Sequence, residues 1–196
     1  APIARTTPLL PLQEVPSPPP PSARDSRRAL PAARADQPLP DPGSVRDTTL
    51  PGPGGPIPVR VYQTSRRPAP TIVYFHGGGW VAGDIETHDR AARQLAIELD
   101  ATVVSVDYRR PPEARFPAAF DDALAAVRAV AADQASYGGA GQPLAVAGDS
   151  AGGNLAAAVA LAARDGGPRI AAQLLIYPVT DVAQDIAFRP VMHDVN

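Results

Sequence analysis

The run Leu144-Ala145-Val146-Ala147-Gly148-Asp149-Ser150-Ala151-Gly152-Gly153 decides how this chain folds. Four apolar residues read as a strand, the glycine-punctuated stretch as a tight turn, and the alanine-rich segment through Arg164 as a helix. Gly148, Ser150 and Gly152 fit G-x-S-x-G, a pattern that lifts a serine above a sheet edge on a sharp strand-to-helix turn. A side chain two positions before or after that serine would collide with the turn or the neighbouring strand, so the turn needs glycine at both. The helix that follows aims its free N–H groups and the positive end of its dipole at the serine oxygen. Taken alone, the pattern fits equally well a glycine-rich corner with an incidental serine.

A second stretch bears on the choice. Thr71-Ile72-Val73-Tyr74-Phe75 is a β-rich run that leads directly into His76-Gly77-Gly78-Gly79-Trp80. Three glycines after a buried strand let the backbone bend and expose bare N–H groups, which suits an oxyanion hole. A flexible glycine loop and a phosphate cradle are the alternatives, and the second is weakened because no Gly-Lys-Ser/Thr follows. Two glycine motifs, each placed after a strand, point together to acyl-transfer chemistry.

Three stretches resemble those of the α/β-hydrolase superfamily, and within it the bacterial hormone-sensitive-lipase-like carboxylesterases. They are His76 to Trp80 with Gly83-Asp84 and His88-Asp89; Asp107 to Glu113 with Phe116-Pro117-Ala118-Ala119; and Gly148 to Gly153. The likeness runs from about Val45 to Asp181, with Pro111 standing where the family commonly has alanine. It implies an esterase acting on short-chain acyl esters, with Ser150 as nucleophile and the N–H groups of Gly78, Gly79 and Ala151 as oxyanion donors. His76, Gly77, Gly148, Asp149 and Gly152 would support that geometry: His76 by ordering the oxyanion loop, Asp149 by anchoring the turn.

Composition narrows the alternatives. A length of 196 residues suffices for one domain with a real core, and a net charge of −2 argues against nucleic acid as partner. The absence of cysteine excludes disulfides, thiol chemistry and thiolate metal sites. No ligand cluster or dinucleotide glycine pattern implies a metal or organic cofactor. No apolar run approaches the ~18–20 residues that span a bilayer. With no signal peptide visible either, a cytoplasmic location is the default expectation.

Residues 1–43 are a different material, rich in proline and including the run Pro18 to Pro21. They read as a poorly ordered tail, with a remnant cap, a proline-rich ligand or a frame-altered segment as alternatives, and Ser22 to Ala35 as a possible short helix. Residues 44–196 carry the core. Val45 to Leu50 and Ile57 to Tyr62 read as a hairpin about Pro51-Gly52-Pro53-Gly54-Gly55. Strands at 71–75, 101–106, 144–147 and 171–177 alternate with helices at 87–99, 116–132 and 150–164. The first helix is expected to bury Ala91, Leu95 and Leu99, and the second Phe120, Leu124 and Val127, with Pro117 in its first turn. This order predicts an α/β fold with a doubly wound, mostly parallel sheet and an antiparallel N-terminal hairpin.

Among the remaining polar residues, His88-Asp89 opens a helix, and Asp107, Tyr108 and Arg109 are read as locking the proline-rich loop. Asp121 and Asp122 are read as settling a helix's first turns, and Trp80 as either lining a pocket or packing. A serine hydroxyl needs a base, and that base needs an orienting carboxylate. In this fold both follow the serine on later loops. His193 is the only histidine after Ser150, with Asp181, Asp185 and Asp194 as acids by order alone. The expectation is therefore a core lacking its last strands, truncated at the C-terminus, and inactive or weakly active. A non-catalytic small-molecule binder and a non-functional gene product remain alternatives. The strand at 171–177 is expected to be an exposed apolar edge, prone to poor solubility or to oligomerisation with further copies of the chain.

Overall fold

The structure is a computed structural model, and it describes residues 37–181. Most of the proline-rich segment and the candidates Asp185, His193 and Asp194 lie outside the described residues. Strands β1 (Ser44–Leu50), β2 (Ile57–Gln63), β3 (Thr71–Phe75), β4 (Thr102–Val106), β5 (Leu144–Asp149) and β6 (Ala172–Ile176) form one sheet. Its order is β1-β2-β4-β3-β5-β6. β1 and β2 form the expected antiparallel hairpin, with Leu50 opposite Ile57 and the turn between them closed by Gly55 N–H donating to the Gly52 carbonyl. β2 joins β4 antiparallel, and β4, β3, β5 and β6 run parallel to one another.

Alternation along the central strands sorts the core into two layers. Val73 and Phe75 of β3, Val104 and Val106 of β4 and Val146 of β5 face α2 (Ala118–Ala132) and α3 (Ala151–Ala162). Ile72 and Tyr74 of β3, Val103 of β4 and Ala147 of β5 face α1 (Asp89–Glu98) on the other side. All five residues of β3 and of β4 are buried, as continuous apolar strands covered on both faces must be. Each such aliphatic side chain contributes about 1.5–3 kcal/mol through removal from water.

Two sequence expectations about helices are corrected here. α1 buries Asp89, Ala92 and Ala96, whereas Ala91 and Leu99 are exposed and Leu95 is only partly covered. The stripe rotated because Asp89 is itself held inward, by the Tyr62 hydroxyl at 2.7 Å, Arg60 at 3.0 Å and Arg93 at 2.6 Å. Burial alone would raise the Asp89 pKa; the hydrogen bonds from Arg93, Tyr62 and Arg60 outweigh it and lower the pKa instead. α2 begins at Ala118, so Pro117 precedes the first turn, and the buried stripe centres on Ala123, Ala126, Val127 and Val130. Phe120 and Leu124 flank it as partly covered neighbours.

The chain leaves β3 for α1 on one face and leaves β5 for α3 on the other. Adjacent parallel strands whose connections diverge open a crevice at their carboxyl ends, where ligands bind in open α/β sheets. Both glycine motifs sit there.

Candidate active site

Ser150 is the residue between β5 and α3, with φ +51° and ψ −117°. That combination is costly for a residue with a side chain and persists only when the surroundings impose it. The imposition is steric. A Cβ at Gly152 would overlap the Phe75 and His76 carbonyls of the neighbouring strand, and one at Gly148 would overlap the Gly152 carbonyl group. The turn can therefore press directly against β3. Backbone bonds then pin Ser150 from the far side: its N–H donates to the Ile176 carbonyl at 2.9 Å, and its carbonyl accepts from Val179 N–H at 3.2 Å.

The glycine loop after β3 meets this turn from the other strand. Phe75 is in register with Gly148. One residue further on, Asp149 Oδ1 accepts the Gly77 N–H at 3.0 Å and the Tyr74 hydroxyl at 2.6 Å. Burial disfavours the Asp149 carboxylate, but bonds from His88, Tyr74 and Gly77 N–H hold its pKa below the ordinary value. Gly78, Gly79 and Trp80 all have positive φ, and the Gly78 carbonyl accepts from Val81 and Ala82, which folds the loop back on itself. Among the described residues, the Gly78 and Gly79 N–H groups have no backbone partner. Ala151 is the first residue of α3, where N–H groups have no intrahelical acceptor.

His76 is fully buried. Its Nε2 faces an Arg110 guanidinium nitrogen at 2.8 Å, which can only donate, so Nε2 accepts and the proton sits on Nδ1, donated to the Gly77 carbonyl at 2.8 Å. Burial above all pushes its pKa down to about 3. Tyr108 stacks on the ring, with centroids 4.4 Å apart, and donates its hydroxyl to the His76 carbonyl. A neutral imidazole with both nitrogens engaged has nothing to offer Ser150. His88 has its Nδ1 at Thr87 and its Nε2 3.5 Å from Asp149 Oδ2. Neither described histidine is bonded to Ser150.

Other sequence candidates separate from the site. Asp122 does not serve the first turn of its helix; its buried carboxylate grips the Arg109 side chain at 2.8–3.1 Å and the Arg109 backbone N–H. Asp107 pairs with Arg110 at 2.6 Å. Trp80 is partly exposed and packs against the α2–α3 layer. The described residues hold no group of three or more His, Cys, Asp or Glu arranged for a metal ion. No described helix is long and apolar enough to cross a membrane. A groove of about 640 Å³ lies at the C-terminal end of α3, lined by Ala160, Leu161, Arg164 and Ile170, at the opposite end of that helix from Ser150.

The family model describing the alpha/beta hydrolase fold matches residues 72–192, which include both glycine motifs. The chain belongs to the α/β-hydrolase family. Its parallel strands, divided helices and antiparallel N-terminal hairpin are those of this fold. Among curated relatives, Esterase LipI of Mycobacterium tuberculosis is 52% identical over 141 residues, covering 69% of this chain and 44% of the relative. Carboxylesterase NlhH of the same organism is 53% identical over 127 residues, covering 63% of this chain and 40% of the relative. An esterase structure from Pyrobaculum calidifontis superposes with a TM-score of 0.69 at 47% identity, covering 80% of this chain and 50% of that one. The thermostable carboxylesterase EstE1 from a metagenomic library gives 0.74 at 42% identity, covering 82% and 56%. The chain thus spans about half the length, or less, of the curated relatives it matches.

Sequence reasoning missed Tyr74, Tyr108 and Arg110 as supports of the site. Tyr74 lies two residues before His76 on one strand, so the two share a face, a period-2 signal that was available. The Asp149–Gly77 bond needs the β3–β5 register, which no local pattern encodes.

Proposed function

We propose that the chain carries the nucleophile and oxyanion loop of a serine carboxylic-ester hydrolase acting on short-chain acyl esters through an acyl-enzyme. The observation that carries this reading is the joint between the two motifs: Gly152 closes onto the Phe75 and His76 carbonyls, and Asp149 ties down Gly77. The serine turn therefore abuts a loop whose Gly78 and Gly79 N–H groups have no backbone partner among the described residues. Ser150 Oγ would attack the ester carbonyl, and the oxygen that becomes negative would be met by the Gly78, Gly79 and Ala151 N–H groups and the N-terminus of α3. Collapse expels the alcohol and leaves the acyl group on Ser150, and water then releases the acid. The names of the relatives, esterases and carboxylesterases, support the same substrate class.

The Ser150 proton needs an acceptor, and neither His76 nor His88 is bonded to that serine. His193 lies outside the described residues, and Asp181 sits exposed at their end. Incubation with a fluorophosphonate and a p-nitrophenyl ester tests the assignment. Labelling and nitrophenol release that vanish in Ser150→Ala support it; labelling that survives the substitution ends it. The same assay on His193→Ala decides whether that imidazole takes the proton. The lack of an imidazole bonded to Ser150 among the described residues favours a second reading, a small-molecule binder, which predicts saturable ester binding with no nitrophenol burst. Self-association through β6, the outermost strand among the described residues, belongs to this proposal, and sedimentation velocity reads it.

A further inference from the structure

The contacts of Asp149 reach beyond Gly77. Asp149 stands beside the nucleophile, yet its side chain points away from the reaction and gathers three elements of the fold. Oδ1 takes the Tyr74 hydroxyl of β3 and the Gly77 N–H of the glycine loop. Oδ2 faces His88 Nε2, at the residue before α1, across 3.5 Å. His88 is aimed by its own neighbours. Asp84 and Thr87 close a reciprocal pair, each backbone N–H donating to the other's side-chain oxygen at 2.8 Å, and Thr87 Oγ1 lies 2.9 Å from both the Asp84 carbonyl and His88 Nδ1.

The proton count of this chain of contacts is constrained. If the Thr87 hydroxyl donates to His88 Nδ1, the neutral ring carries its hydrogen on Nε2. That tautomer points an Nε2–H at Asp149 Oδ2, 3.5 Å away.

We infer that Asp149 and His88 are positioning residues: the His88 imidazole holds the Asp149 carboxylate, which holds Gly77 N–H and so sets the oxyanion loop against the Ser150 turn. Gly77 precedes Gly78, so any shift of Gly77 moves the Gly78 N–H that the ester-hydrolase reading aims at the reacting oxygen. The inference rests on that reading for its catalytic consequence, while the strut itself is a matter of contacts. Neither residue touches the substrate; both act through the loop.

The test uses the full chain and three substitutions. His88→Ala removes the contact, His88→Gln returns a side-chain N–H near the Nε2 position, and Asp149→Asn exchanges a charged acceptor for a neutral one. Two readouts are taken: hydrogen exchange of the Gly77 amide by NMR, and the second-order rate of fluorophosphonate labelling of Ser150. His88→Ala should speed Gly77 exchange and slow labelling about 10- to 100-fold, as ångström-scale misplacement of reacting groups does. His88→Gln should recover most of both. For ester turnover, kcat counted per Ser150 titrated by the probe should fall while KM holds; counting only titrated sites separates this from a loss of folded protein. Unchanged Gly77 protection in both His88→Ala and Asp149→Asn overturns the strut. Lost protection with wild-type labelling overturns the positioning role. Absence of labelling in the unsubstituted chain removes the hydrolase reading and the positioning role with it, and the exchange data still decide the strut. If Asp149→Asn fails to fold, the two substitutions at His88, whose side chain is 15% exposed, carry the comparison.

Discussion

β5 and β6 are neighbouring parallel strands of similar apolar character, and their surroundings could hardly differ more. Val146 and Ala147 of β5 are fully buried between two helix layers, with β3 on one side and β6 on the other. In β6, Leu174 is 41% and Leu175 37% exposed, and these two residues point to opposite faces. Among the described residues, β6 has a strand on one side only. The contrast shows that hydrophobic content marks a strand but does not set its position. On the β3 side, Gly148 and Gly152 close on the Phe75 carbonyl and confine the Ser150 turn; on the β6 side, the Ile176 carbonyl and Val179 N–H bond it.

Substitutions at the centre and the edge should therefore differ in scale. Gly152→Ala should have the largest effect, because its Cβ meets backbone carbonyls of β3 that have no route to relax. A loss of about 4 kcal/mol or more, or failure to fold, is expected in urea denaturation. A cost below about 1 kcal/mol would mean the turn does not press on β3. Phe75→Ala, next in size, empties a fully buried site and should cost about 3–5 kcal/mol. Leu174→Ala in β6 should cost less than half as much, and equal costs would erase the distinction between centre and edge.

Acid should act on the centre first. The His76 pKa is lowered to about 3, chiefly by burial, so the unfolded chain binds that proton more readily than the folded one. Its contribution to stability is complete above the unfolded value of about 6.5 and declines as pH falls from there toward 3. The Asp149 pKa is also lowered, so its contribution is present above the unfolded value of about 3.9 and is lost as pH drops below it. Denaturation midpoints should thus fall between pH 6.5 and 4 in the parent chain and vary less in His76→Gln. Parallel curves for the two proteins would remove His76 as the origin. The smallest effect on stability is expected of Leu174→Lys, within about 0.5 kcal/mol. A charge on an open edge should nonetheless lower any self-association, and an unchanged sedimentation profile would place the contact elsewhere.

The fold was legible wherever a few adjacent residues decide a conformation. The hairpin turn, the continuous apolar strands and the alternation of strands with helices all follow from spacing and propensity, and the element bounds agree to within about two residues. The inward face of α1 was not legible, because Asp89 is drawn in by Arg60 and Tyr62 from β2, far off in sequence. The same limit applied to Asp122, whose partner Arg109 arrives from the loop after β4. At the candidate site, the serine and both glycine loops could be read directly, whereas the network around His76 and Asp149 could not.

The amino-acid sequence by itself determined that a serine stands on a strained turn, since only glycine at 148 and 152 lets that turn close, and steric exclusion acts over a few bonds. The tertiary structure alone decided what the turn rests on. Strand register brought Asp149 to Gly77, sealed His76 under Arg110 and Tyr108, and left β6 the outermost strand among the described residues. Those outcomes depend on pairings between segments up to 75 residues apart, where the energy of a contact belongs to both partners and neither one announces it.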